Sequence, residues 1–188
     1  MHLLAITPGR GFQPDTWGPV LDSGVDALLV REPGLAPRDL LAAVRWCQDR
    51  APGLPLWVAG RLEVALAAGC GLHAPEAYPE LPPGLGPLSR PLHAEAQWPD
   101  RRTADQLLVS PVLPTPGKGA PWGVPRLRAF LDSLPGGGPR ILALGGVDPA
   151  QVRLLAHPRL DGVAAIRAFW QGDPRRAVAA FREAGAGV

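Results

Sequence analysis

Cysteine and lysine are almost absent: the 188 residues hold only Cys47, Cys70 and Lys118 of these types. Two thiols so far apart in sequence make neither a disulfide framework nor a metal-binding knuckle, and they point to a reducing, cytoplasmic setting. The remaining cations are arginines scattered along the chain, and the formal charge is only +2, so no basic stripe marks a nucleic-acid partner. No run approaches the roughly 18 consecutive apolar residues that a membrane span needs. The opening Met1–Thr7 has no basic region leading into a long apolar core, so a soluble, unprocessed chain is expected.

Glycine and proline are abundant, at 23 and 24 residues, yet they punctuate apolar segments and form no low-complexity tract. With 46% hydrophobic residues the chain can bury a substantial core, and its length suits one domain spanning 1–188. Short aliphatic runs alternate with longer segments of helical periodicity, which is the pattern of βαβ units on a parallel sheet. Eight strands are predicted, at 3–7, 27–32, 55–60, 71–74, 88–94, 106–113, 140–146 and 162–168. The helical faces between them are Leu40, Leu41, Val44 and Cys47; Leu62, Val64, Ala65 and Leu66; Leu127, Phe130 and Leu131; Val152, Leu154 and Leu155; and Val178 with Phe181. Helix starts are predicted at Pro37, at Asp148-Pro149 and at Asp173-Pro174, where a capping residue or a first-turn proline stands.

Eight βα repeats predict an α/β fold, a compact (β/α)8 TIM barrel. The stretch 76–87 is broken by Pro79, Pro82, Pro83 and Pro87, and 95–104 carries Pro99 and little apolar content. Eroded helices after strands 4 and 5 are therefore expected, which fits a chain shorter than the ~200 residues usual for this architecture.

In such a barrel, functional groups follow the strands. After the seventh, Gly145-Gly146 lead toward a helix; they are either a tight turn or, given their position, a phosphate cradle. The eighth ends in Ala165-Ile166-Arg167, with small or apolar residues and one cation. The sixth runs into a loop holding Thr115 and Lys118, either a substrate loop or a proline-stiffened connection. Arg31-Glu32 close the second strand, as a structural ion pair or as a ligand anchor. Two histidines fall at strand ends: His73 reads as structural, and His93 as the better acid/base candidate. Trp46, Trp98, Trp122 and Trp170 are expected to stand exposed on the thinned ring as interface anchors.

Taken in order, Val30-Arg31-Glu32, Gly71-Leu72-His73, His93, Pro114-Thr115-Pro116 with Lys118, Leu144-Gly145-Gly146-Val147 and Gly162-Val163-Ala164 resemble the thiamine phosphate synthase and TenI-type thiazole tautomerase family. The resemblance spans nearly the whole chain and implies a phosphorylated thiazole as ligand, its phosphate held by the last two strand-end loops. It also leads one to expect a homodimer. The synthase branch relies on Mg²⁺ held by acidic residues; here Ala59-Gly60-Arg61 and Tyr78 stand where those are expected, and Pro33 where a lysine follows the arginine-glutamate pair. The tautomerase branch needs no metal or cofactor, and His93 matches its proton-transferring histidine. That branch implies Arg31, Glu32, Thr115, Lys118, Gly145, Gly146, Ala165, Ile166 and Arg167 as ligand contacts, with a synthase or a non-catalytic thiazole-phosphate-binding barrel as alternatives.

Overall fold

Apolar runs of four or five residues can be buried on both faces only inside a sheet covered on both sides. A computed structural model, describing residues 1–79, 81 and 84–186, shows this arrangement. The elements are β1 (His2–Ile6), α1 (Pro14–Leu21), β2 (Ala27–Val30), α2 (Pro37–Arg50), β3 (Leu56–Ala59), α3 (Leu62–Ala68), β4 (Gly71–His73), β5 (Leu88–Leu92), α4 (Trp98–Arg101), β6 (Gln106–Val109), α5 (Val124–Asp132), β7 (Arg140–Leu144), β8 (Gly162–Ala165), α6 (Arg167–Trp170) and α7 (Pro174–Gly185). The strands form one closed, all-parallel barrel in chain order, with β8 paired back to β1, as the expected TIM barrel requires. Among the described residues no helix is long and apolar enough to cross a membrane.

Period-two alternation divides the core. Leu4, Ile6, Ala27, Leu29, Trp57, Leu108, Leu142 and Ala164 pack inside the barrel, while their sequence neighbours, such as Leu3, Ala5, Leu28 and Val163, pack outward under the helices. Trp57 fills much of the interior, and its partner in register is Gly71. A Cβ on Gly71 would lie 2.3 Å from the indole ring, so the glycine makes room for the tryptophan.

Three aspartates tie neighbouring strands at the N-terminal end. Asp26, Asp105 and Asp161 each immediately precede a strand and each donate a backbone N–H to the carbonyl of Leu3, Leu88 and Ile141 respectively. The carboxylate of each then accepts the amide of that same residue, at 2.7 Å in all three cases. Cys70 stands at the corresponding place before β4, and its amide turns back to Ala65. Asp26 also takes Arg182 of α7 at 2.7 and 2.8 Å, tying the last helix to the first two strands. Burial opposes ionisation of Asp26, but the Arg182 and Leu3 hydrogen bonds outweigh it and lower its pKa.

The outer ring is thinned after β4 and β5, where among the described residues only a 3-10 turn at Glu95–Gln97 and the four-residue α4 are found. Residues 80, 82 and 83 of the proline-rich stretch lie outside the described residues, as do 187 and 188. Several expectations are corrected. The segment after Asp148-Pro149 is a 3-10 turn, Val152–Leu155, because the aspartate closes a local turn onto the Gln151 amide and no longer apolar face follows. Leu154 and Leu66 are exposed, since short helices leave their outer sides without neighbours. Every predicted strand overruns the observed C-terminal end by one or more residues, because the chain leaves the sheet there to build the mouth. The four tryptophans are not exposed: Trp122 is buried, and Trp46, Trp98 and Trp170 are half-buried in edge contacts with Phe12, Phe130 and Trp17 at 5.2, 5.9 and 6.0 Å. Large rings fill the space that longer helices would occupy.

Candidate functional site

The C-terminal strand ends bring histidines, arginines and glycines around one mouth. His93 follows β5, and the register Leu92↔Val109 sets it beside Ser110 at the end of β6. Its Nδ1 lies 2.7 Å from the Ser110 carbonyl, which only accepts, so Nδ1 carries a proton. The backbone amide of His93 donates to Gln97 Oε1 at 2.7 Å, fixing the bend behind the ring. Nε2 stands 3.9 Å from Glu76 Oε2, a carboxylate that also approaches Arg101 at 3.7 Å. The imidazole is 40% exposed, enough to reach a molecule resting on the mouth.

His73 closes β4 and is paired in register with Ser89, whose hydroxyl lies 2.9 Å from Nδ1. Gln106 Nε2 donates to the same hydroxyl at 3.3 Å, so a polar chain crosses an otherwise apolar barrel. Burial first, then the neighbouring Arg31, His93 and Arg90, push the His73 pKa down to about 4. The ring is therefore neutral across the physiological range. Burial also pushes Cys47 up to about 12 and Cys70 up to about 11, which leaves both thiols without thiolate character.

The glycine pair after β7 has positive φ at both positions, 96° at Gly145 and 68° at Gly146, where side-chain-bearing residues are strained. The loop after β6 lies against it: the amides of Val112 and Leu113 donate to Leu144 and Gly145 at 2.9 and 3.0 Å. A Cβ on Gly145 would meet Pro111 at 2.9 Å and Thr115 Oγ1 at 3.3 Å, and one on Gly146 would meet Leu113 and Pro114 at 2.8 Å. Close backbone approach thus requires glycine at both places. The register Leu144↔Ala164 puts Gly145 level with Ala165 on the neighbouring strand. Among the described residues, the amides of Gly146, Val147, Arg167 and Ala168 donate to no backbone carbonyl.

His93, Thr115, Gly145, Gly146, Ala165 and Ile166 thus line one contiguous arc over β5 to β8. Ala165 turns its side chain outward, while Ile166 packs inward with Leu144 and Ala59 as an apolar floor. Lys118 and Arg167 are exposed, and among the described residues neither forms an ion pair. Arg31, also exposed, lies on the β2 side, its amide donating to Thr7 Oγ1 at 2.8 Å. Glu32 is buried and accepts the amides of Gly9 and Gly11 at 3.0 and 2.7 Å, which anchors the loop after β1. Sequence reasoning passed over Thr7, Glu76, Ser89, Gln106 and Ser110. The signal for Ser89 and Gln106 was a polar residue at an inward position of an apolar strand.

The same geometry tests whether a divalent cation fits. Both oxygens of Glu32 are occupied by amides, and no group of three His, Cys, Asp or Glu side chains suited to a metal occurs among the described residues. Among the described residues the donors present do not by themselves make a Mg²⁺ site.

No protein-family model matches the chain, and no curated protein does. Solved structures do. Thiamine phosphate pyrophosphorylase from Pyrococcus furiosus superposes with a TM-score of 0.83 at 20% identity, over 99% of this chain and 96% of that one. This chain shares its fold with that protein. The Bacteroides thetaiotaomicron thiamine phosphate pyrophosphorylase gives 0.73 at 15% identity, over 99% and 98% of the two chains. The likeness extends to 3-keto-L-gulonate-6-phosphate decarboxylase from Vibrio cholerae, at 0.72 and 16% identity over 99% and 98%. At these identities the likeness concerns the fold.

Proposed function

We propose that the chain is a thiazole tautomerase-like isomerase of thiamine biosynthesis, converting a non-aromatic thiazole carboxylate phosphate into its aromatic tautomer. The observation that carries this reading is the His93 ring, held by Ser110 so that its Nε2, 3.9 Å from Glu76 Oε2, is presented at the mouth. Moving one proton asks for one placed acid/base group, and aromatisation supplies the drive, so the protein has only to lower the barrier. The imidazole takes the proton at Nε2 and returns it to the neighbouring position of the substrate. The free amides around Gly145-Gly146 and Ala165-Ile166 receive the phosphate, and Arg31 with Lys118 and Arg167 attract its charge. The apolar floor of Leu144, Ile166 and Ala59 suits the thiazole ring.

A second reading, thiamine phosphate synthase, is favoured by the two thiamine phosphate pyrophosphorylases among the structural neighbours. It requires stabilising a departing diphosphate with several negative charges. Among the described residues no acidic set for Mg²⁺ occurs, which leaves Arg61 and Arg90 as the cations for that role. Two assays separate the readings. Product from the thiazole tautomer alone supports the isomerase. Product only from pyrimidine diphosphate plus thiazole phosphate with Mg²⁺ replaces it with the synthase.

A further inference from the structure

The short connections after β4 and β5 meet at His93. Pro75 opens a turn that the Tyr78 amide closes on its carbonyl at 3.0 Å, and this turn carries Glu76 to the His93 ring. From the next connection Gln97 reaches both residues. Its Oε1 accepts the amides of His93 and Ala94 at 2.7 and 3.3 Å, and its Nε2 donates to Glu76 Oε1. Only one orientation of the carboxamide serves all three, oxygen to the amides and nitrogen to the carboxylate, so the His93 bend and Glu76 are fixed relative to each other.

Arg101 of α4 holds the same carboxylate. Its guanidinium is 8% exposed, donates to the Pro91 carbonyl and stands 3.7 Å from Glu76 Oε1. Among the described residues no other carboxylate lies within ion-pair distance of it. A buried cation is costly without its anion, which ties Glu76 to this place. Oε1 is thus committed to Gln97 and Arg101, while Oε2 is turned to His93 Nε2 at 3.9 Å. That spacing is longer than a hydrogen bond, so the carboxylate does not occupy Nε2, yet it is short enough for one charge to act on another.

The proton transfer proposed for His93 creates such a charge. Nδ1–H is held by the Ser110 carbonyl. When the substrate C–H bond breaks, its electron pair stays in the conjugated system of the substrate, and the proton forms a second N–H at Nε2, which makes the ring an imidazolium. The ring is neutral again once the proton has passed to the neighbouring position. We propose that Glu76 is the charge partner of His93, a positioning residue that fixes the ring through Gln97 and, ionised throughout, stabilises the imidazolium formed in the transfer. Its effect on rate rests on the isomerase reading, whereas its pairing with His93 is read without turnover.

The imidazole resonances of the four histidines are followed against pH in the full chain, that of His93 being identified by its loss in His93→Asn. Glu76→Gln keeps an acceptor for Gln97 and removes the charge, and Glu76→Asp keeps the charge. His73 of β4, Arg90 of β5, Arg101 of α4 and the Glu95–Arg126 pair, the other ionisable groups on the elements around the ring, are the same in all variants. Removing an anion beside the ring favours its neutral form, so the His93 midpoint is expected to fall by about half a unit or more in Glu76→Gln and to stay closer to wild type in Glu76→Asp. In conversion of the non-aromatic thiazole carboxylate phosphate, kcat is expected to fall by about tenfold or more in Glu76→Gln with KM within about twofold. No further loss is expected when Glu76→Gln is added to His93→Asn. A His93 midpoint unmoved in Glu76→Gln, or a kcat equal to wild type in that variant, overturns the proposal and leaves Glu76 as the counter-ion of Arg101 alone. If wild type converts nothing, the isomerase reading falls, while a shifted midpoint still upholds the pairing.

Discussion

Lowering the pH protonates His73 only at a cost to the fold. Its pKa of about 4 lies below the 6.5 of a free imidazole, so the unfolded chain binds the proton first. The stability that neutral His73 contributes is complete above pH 6.5 and is lost as the pH falls toward 4. The full difference is worth about 3 kcal/mol, and at pH 5 about 2 kcal/mol is already gone. Residual contact with water at the mouth makes these upper values. His73→Asn keeps a group able to bond the Ser89 hydroxyl but does not titrate. Urea denaturation of both proteins at pH 8 and pH 5 isolates the effect, because Asp26 and the other acid-sensitive groups act equally in each. Wild type is expected to lose about 2 kcal/mol more than His73→Asn over that interval, or roughly 4–8 °C in Tm for a chain of this size. Equal losses would refute the assignment of a half-buried, neutral His73.

Three further outcomes follow from packing and geometry. Gly71→Ala drives a methyl into the Trp57 ring and is expected to cost about 1–3 kcal/mol, with much of the loss recovered in Gly71→Ala combined with Trp57→Leu, as chemical denaturation reads it. Asp161→Ala removes the clamp on the Ile141 amide and is expected to cost about 1–3 kcal/mol, and Asp105→Ala a similar amount at Leu88, while Asp132→Ala on the surface changes little. Gly146→Ala combines a strained φ with a Cβ 2.8 Å from Leu113 and Pro114, and is expected to weaken inorganic phosphate binding by about tenfold or more with about 1–2 kcal/mol of destabilisation.

Strand number and order were legible because fully buried parallel strands must be continuous aliphatic runs, and loops cannot imitate eight of them at this spacing. Their ends were not, since Arg31, Glu32, His93 and Ser110 continue the extended chain in sequence after the sheet has stopped pairing. The helix after β1 was passed over because Pro14 and Pro19 mask its face, although Trp17, Val20 and Leu21 are buried. Thinning after β4 and β5 was visible in the prolines, whereas the tryptophans that fill the gaps were taken for surface because neighbours across the ring cannot be read from one segment. Asp26, Asp105 and Asp161 share a local signature, an aspartate immediately before a strand, but its meaning lies in the adjacent strand's amide. At the mouth, His93 and the glycine pair stood out by residue type and position. The Ser110 carbonyl that fixes His93 did not, because a backbone acceptor leaves no trace in the sequence.

Incubating the non-aromatic thiazole carboxylate phosphate with wild type and with His93→Asn, and following the aromatic tautomer by NMR, reaches the central claim in one experiment. Rapid conversion by wild type with a loss of about a hundredfold or more in the variant is the expected result. Equal rates in the two proteins, or no conversion by folded wild type, would contradict the assignment of proton transfer to His93.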